Sequence, residues 1–458
     1  MRPYFFILLL FPLFTNAQII TTYVGGGSGG GIDGIGDGLH ADSAKLGVIV
    51  YAAFDTAGNL YIPDPAHYRI RKVDKKTGII TSIAGNGTTG FSGDSGLATA
   101  AEFTEVGYIT FDSKNNLYLS DINNQRVRKV NATTGIITTI AGTGTAGFSG
   151  DSGLATAAEL NYPAGLCFDK FGNLYISDNY NERIRKVNTS GIITTYVGTG
   201  LNGFSGDGGL ADTAMIWDTR QMCTDTAGNL YIGDIGNSRV RKIDAITHII
   251  TTIVGTGDSA FYNGDGIAAT TATIDPFGIA IDKNGYLFIG DHVNNRIRKI
   301  DALGIIHTVA GDGIQGFAGD GGSADSAKFY YPQGIAFDSC NNLYIADNAN
   351  KRVRKVTFDT SCGKQHGDTS NMVNSVQANN KIKIYPNPAT NTLQITISNW
   401  QPGKNSNYLL MDITGRILLN GEITSSKQQI DIHQLANGIY LIQINSGQQK
   451  IIQKLIKE

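Results

Sequence analysis

The sequence predicts an all-β protein in two parts: a six-bladed β-propeller closed by its N-terminal strand, then a small Ig-like β-sandwich. Three observations predict it. A motif typified by YISDNYNERIRKV (175–187) recurs six times, with its aspartate at 64, 121, 178, 234, 291 and 347, a spacing of 56 or 57 residues. Each repeat reads as four short strands joined by tight turns. The chain also opens on the last strand of a unit, IITTYVG at 19, whereas the sixth unit ends without one.

In chain order, residues 1–17 (MRPYFFILLLFPLFTNA) read as an export signal. Arg2 gives the positive start, Tyr4 to Phe14 an apolar run of 11 residues, and Ala17 the small residue before a cleavage point. That run is too short to span a bilayer, which takes about 20 residues, so an exported chain with no transmembrane segment is expected. Residues 18–362 hold the repeats. In the third, GLCFD is a short apolar run, KFGN supplies hairpin chemistry and LYISD alternates. NYNE then turns, RIRKV alternates, and GIITTYVG is β-branched between glycines. Four such strands form one antiparallel sheet, and repeating it about an axis makes a propeller. Sharing the last blade between the two ends of the repeat region removes open sheet edges. Residues 363–380 are polar and read as a linker, and 381–458 carry short apolar strands that fit a small sandwich.

Composition narrows the function. Glycine numbers 58 without a collagen period, which points to repeated turns. A formal net charge of −2 with 17% charged residues argues against a general nucleic-acid binder. Four cysteines suit an oxidising compartment. Cys167 and Cys223 fall at one repeat position, filled elsewhere by Ala53, Thr110, Ala280 and Ala336, and read as buried thiols. Cys340 and Cys362 flank the last strand pair and form a candidate disulfide.

The unit YPAGLCFDKFGNLYISDNYNERIRKV resembles the NHL repeat, with its Pro-x-Gly lead-in, Gly-Asn-Leu-Tyr hairpin and Asp-x-x-Asn-x-Arg turn. The first unit departs most: VIVYAAFD lacks the Pro-x-Gly and DPAHYR lacks the turn asparagine. In the tail, Tyr385-Pro386-Asn387-Pro388, the Asp412-x-x-Gly415 hairpin and Gly438-Ile439-Tyr440 resemble the C-terminal sorting domain of type IX secretion. That resemblance implies handling by the type IX machinery of a Gram-negative bacterium. The protein would then be extracellular or sit on the outer-membrane surface.

Six copies of Arg-x-Arg-Lys hold 18 of the 37 Lys and Arg residues. Alternation puts Arg183 and Arg185 on one strand face. Such a stripe could read nucleic acid, but each copy has an aspartate five residues before its first arginine, across a tight turn. Charge-assisted staples are therefore expected for Asp64–Arg69, Asp121–Arg126, Asp178–Arg183, Asp234–Arg239, Asp291–Arg296 and Asp347–Arg352. An exported chain does not meet cellular RNA, so no nucleic-acid partner is expected.

The long loops typified by GFSGDSGLATAAEL are expected on the same face as these turns, with Asp37, Asp94, Asp151, Asp207, Asp265 and Asp320 capping short helical turns. Structural calcium at these carboxylates is the alternative, and no other cofactor or metal is expected. The seven histidines share no repeat position, and no nucleophile arrangement follows from spacing, so no catalytic residue is predicted.

Structural residues repeat and functional ones need not, so the departures mark candidate ligand contacts. At the lead-in to the first strand these are Glu105, Tyr162, Trp217, Asp218, Arg220, Asp275, Phe277, Tyr330, Tyr331 and Gln333. They are expected to ring the channel mouth on the long-loop face, where aromatics with a few polar groups suit a sugar or peptide side chain. The function expected is a non-catalytic scaffold binding an extracellular protein or glycan. The alternatives are a metal-dependent lactonase or lyase, as in some six-bladed relatives, and a structural surface component.

Overall fold

The computed structural model describes residues 18–31, 33–259, 261–358, 382–385, 390–397, 406–412, 416–446 and 449–457. The expected export signal, the linker and Cys362 lie outside the described residues. The chain divides into two compact units, Met1–Lys364 and Gln365–Glu458.

Among the described residues the first unit holds six antiparallel sheets, five of four strands as predicted and the fifth with an added edge strand, Ile267–Ala268. The third runs Pro163–Phe168, Leu174–Asp178, Arg183–Val187 and Ile193–Val197, each strand pairing with the next. In the sixth, Ile19–Gly25 supplies the fourth strand, with Ile19 opposite Thr357 and Gly25 opposite Arg352. The first strands of the sheets lie side by side. Val106–Phe111, Pro163–Phe168, Thr219–Thr224, Pro276–Ile281 and Pro332–Phe337 are successive neighbours, and Ala53–Phe54 touches both end members. This close approach explains the Pro-x-Gly motif. A Cβ on Gly165 would stand 1.5 Å from the Arg220 carbonyl oxygen, and one on Gly278 2.1 Å from that of Gln333. Apolar side chains between adjacent sheets form the core, as Val127, Leu160, Leu166, Ile176 and Ile193 do between the second and third.

The hairpin staple exists in all six sheets, with a different arginine from the one expected. Asp178 faces Arg183 in the strand register, yet its carboxylate pairs with Arg185, at 3.1 Å. The same pairing joins Asp64–Arg71, Asp121–Arg128, Asp234–Arg241, Asp291–Arg298 and Asp347–Arg354, at 3.2–3.5 Å. The reason is burial. These second arginines have no exposed side-chain surface and need a counter-charge. The first arginines lie at the rim, where loop carbonyls suffice: Arg183 donates to Asn181 O at 2.9 Å and Thr199 O at 2.7 Å. Burial also pushes the carboxyls of Asp121 and Asp234 up to about 6, although the arginines pull the other way.

The loop aspartates cap nothing, and the short 3-10 turns that follow them have no side-chain cap. Asp151 instead takes the far side of the Arg185 guanidinium at 2.8 Å, as Asp37, Asp94, Asp207, Asp265 and Asp320 do for theirs. The aromatic ring of the same loop covers the first arginine, with Phe148 3.8 Å below Arg183. In the diverged first copy an ion pair, Asp33–Arg69 at 2.7 Å, replaces that ring contact. The loops start beside the Asp-x-x-Asn-x-Arg turns, as Asn181 Nδ2 donating to Gly147 O at 2.7 Å shows, and then continue onto a second surface. They run along the outer edge of the next sheet, where Leu97 bridges Ile136 and Leu154 bridges Ile192.

Cys167 is buried and Cys223 half-buried, and both are free thiols. Burial raises both thiol pKa values. Cys340 is disulfide-bonded.

In the second compact unit, Ile382–Tyr385, Thr392–Ile397 and Lys427–Asp431 form one sheet. Ile417–Glu422, Ser406–Met411, Gly438–Ser446 and Gln449–Lys457 form another. Leu393, Ile395 and Ile430 of the first pack with Leu410, Ile442 and Leu455 of the second in one core.

Candidate functional site

The site begins as a backbone device. Tyr162, Asp218 and Tyr331 lead into first strands with φ of 57°, 48° and 58°, a left-handed conformation that costs a side-chain-bearing residue about 1–2 kcal/mol. Each is held by the turn of the preceding sheet. The Tyr162 N–H donates to Gln125 Oε1 at 2.7 Å, that of Asp218 to Glu182 Oε2 at 3.2 Å, and that of Tyr331 to Asn295 Oδ1 at 3.0 Å. The surrounding sheets thus fix an otherwise unfavourable geometry in which these side chains stand at the opening.

A stack runs across that opening. The Arg220 guanidinium lies 5.0 Å from the Phe277 ring centre, Phe277 4.9 Å from His292, and His292 4.7 Å from Tyr331 at 26° between planes. Tyr330 flanks Tyr331 at 4.9 Å. Polar partners fix each layer. Arg220 Nε donates to Asp218 Oδ1 at 2.9 Å, and Asp275 Oδ2 stands 2.9 Å from His292 Nδ1. Gln333 lies 3.5 Å from His292 Nε2 and accepts from Asn348 Nδ2 at 3.0 Å. Burial opposes the charge on Arg220, but Tyr108, Asp218 and Tyr162 outweigh it and raise its pKa.

A second pair lies nearby. Tyr162 stacks on Tyr180 at 4.4 Å and 14°, and its hydroxyl is 3.5 Å from Glu105, which also accepts from Asn123. Burial pushes the Glu182 carboxyl up to about 7 against the pull of the Asp218 N–H, with the Asp218 and Asp234 charges adding to the rise.

Of the candidates chosen from sequence, Arg220, Asp275, Phe277, Tyr330, Tyr331 and Gln333 are thus connected in one stack, and Glu105 with Tyr162 in another. Trp217 stands apart, its ring against the Gly236 backbone and 44% exposed. Sequence reasoning missed His292, Tyr180 and three residues on or just before the adjoining first strands. Where Gly165, Gly278 and Gly334 allow close approach, the other sheets carry Tyr51, Tyr108 and Gln221. Gln221 reaches across and donates to Ile279 O at 2.8 Å and Ile335 O at 3.3 Å, tying the first strands of the fourth, fifth and sixth sheets together. Below it, a cavity of about 250 Å³ is lined by Tyr51, Gln221, Cys223, Ile279, Ile335 and Phe337. Loss of that glycine in three of six repeats was the available signal. Among the described residues no three His, Cys, Asp or Glu side chains gather as a metal cluster would require.

The repeated sheets and their Asp-x-x-Asn-x-Arg turns define an NHL-type propeller. Residues 329–356 match the NHL repeat, and residues 108–205 and 257–318 match the teneurin NHL domain. Residues 383–458 match the secretion system C-terminal sorting domain. The chain is an NHL-repeat propeller protein with a type IX sorting tail, and that tail marks it as secreted or cell-surface.

It is 27% identical over 323 residues to Protein SUPPRESSOR OF QUENCHING 1, chloroplastic, of Arabidopsis thaliana, covering 67% of this chain and 30% of that protein. It is 30% identical over 294 residues to Teneurin-1 of Gallus gallus, covering 56% of this chain and 10% of that one. The chain therefore spans less than a third of either relative. A crystal structure of an auxiliary nutrient binding protein from Bacteroides thetaiotaomicron VPI-5482 shares the fold, with a TM-score of 0.55, 18% identity, and coverage of 74% and 76%. No helix among the described residues is long and apolar enough to cross a membrane.

Proposed function

We propose that the first compact unit is a six-bladed propeller closed through Ile19–Gly25, and that it serves outside the cell as a non-catalytic scaffold. It binds a glycan or protein at the channel mouth. The observation that carries this is the Arg220–Phe277–His292–Tyr331 stack. It joins three sheets, is partly open to solvent, and has strained lead-in residues on its border. Flat rings edged by fixed polar groups suit the faces of sugars or of aromatic and amide side chains. Glycan and peptide arrays probed with the full chain test it. Saturable binding lost in Phe277→Ala supports the scaffold, whereas undiminished binding removes the stack from consideration.

The sorting tail hands the chain to type IX secretion. Its two-sheet packing supports an Ig-like sandwich, as does the Tyr440 hydroxyl donating to Ala436 O at 2.6 Å. One observation favours the lactonase or lyase alternative: Asp275 orients His292 as it would a general base. Turnover of lactone or ester substrates that disappears in His292→Gln would establish that reading instead.

A further inference from the structure

The six first arginines of the Arg-x-Arg-Lys motifs form an internal set of controls. Arg126, Arg183, Arg239 and Arg296 each donate to two carbonyls: that of the turn asparagine, and that of Thr143, Thr199, Thr256 or Asp312 in the loop. Arg69 uses Asp33 and Asn86 O. Arg352 differs. It stacks on Phe317 at 4.0 Å, as Arg126, Arg183, Arg239 and Arg296 do on their own rings, but its guanidinium makes no hydrogen bond to another described residue. The loop position that supplies the carbonyl elsewhere is Gly26 here, with φ at +90°, the start of a glycine-rich turn that takes another path.

The guanidinium instead faces a cleft of about 800 Å³, lined by the Gly25–Gly29 backbone with Thr22, Ser28, Ser43 and Phe317. Asp320 and Asp42 also border it, and both are already engaged. Asp320 meets Arg354 at 2.7 Å and Thr22 Oγ1 at 2.6 Å, and Asp42 meets His40 at 2.8 Å. Arg352 is the wall's one cation without a carboxylate partner among the described residues. Its planar fork matches the geometry of an oxyanion.

We infer that this cleft, at the seam between the first and sixth sheets, is a second binding site, separate from the channel mouth. It takes an oxyanion: the sulfate, phosphate or carboxylate group of an acidic saccharide. The anion sits on Arg352 in place of the missing carbonyls, and the sugar lies along the glycine-rich wall beside the hydroxyls of Ser28 and Ser43.

The test titrates the full chain with inorganic sulfate, inorganic phosphate and glucuronic acid, followed by calorimetry and by the NMR signal of the Arg352 Nε–H. At least one probe should bind saturably and shift that signal. The probe that binds best names the anion. Arg352→Gln should weaken it about tenfold while leaving the melting temperature close to that of the parent. Arg183→Gln, which breaks internal bonds, should lower the melting temperature and leave binding intact, and Phe277→Ala should leave this site unchanged. Absence of saturable binding for all three probes, or equal affinity in Arg352→Gln, overturns the assignment.

Discussion

Asp178 pairs with Arg185, two residues beyond the arginine that faces it across the hairpin, and Asp151 closes the same guanidinium from the loop side. One buried cation therefore ties the second strand, the third strand and the incoming loop of its sheet together.

Removing that cation should be severe. Arg185→Met leaves Asp178 buried without its counter-charge, and a loss of about 3–5 kcal/mol is expected. Arg183→Ala gives up rim hydrogen bonds and a ring contact, and about 1 kcal/mol is expected. Urea unfolding of the two variants measures both, and equal losses would contradict the assignment of the staple to the second arginine.

The buried aspartates give a pH signature. Burial lifts Asp121 and Asp234 to about 6, above the ordinary aspartate value near 3.9. Between those values the folded chain holds protons that the unfolded chain releases. Their favourable contribution is thus complete below about pH 4 and disappears as pH rises through about 6. Asp121→Asn lacks this dependence, so its stability relative to the parent should improve as pH rises from 4 to 7. Melting curves of both proteins across that range check the sign.

Strain at the mouth separates binding from stability. Tyr331→Ala and Tyr331→Gly both remove a ring from the stack and should weaken ligand capture alike. Only glycine relaxes the left-handed backbone, so the glycine variant should be the more stable by about 1 kcal/mol. Denaturation midpoints and array signals for the pair test the two effects together.

Calcium is a further test of the loops. Each loop aspartate already receives a guanidinium, which competes with a cation for the same oxygens. Treatment with a chelator should leave the melting temperature unchanged. A large fall would show that the carboxylates serve an ion as well.

The spacing of Asp178 and its equivalents made the sheets legible, because each repeat states the same strands six times. The pairing of the N-terminal strand with the sixth sheet was legible because the unpaired halves IITTYVG and KVTFDTSCG complement each other. Which arginine meets which aspartate was not. Alternation puts Arg183 and Arg185 on the same face, and only three-dimensional packing decides which of them is buried. His292 was invisible for a similar reason. Asp275 and Phe277 meet it across the hairpin of its own repeat, but Arg220 and Tyr331 belong to the sheets on either side, and no spacing within one repeat brings the whole stack together.

The pairing of Ile19–Gly25 with Arg352–Thr357 also sets an order of events. Synthesis delivers the N-terminal strand first, yet its hydrogen-bonding partner is among the last parts of the propeller to be made. Until residue 357 is available that strand is an orphan, its apolar Ile20 and Val24 without the neighbours that bury them in the finished sheet. Contacts between such distant segments form slowly, because a long loop must close first. A chain cut short before Arg352 therefore lacks the strand that Ile19–Gly25 pairs with, and that edge stays open to other strands.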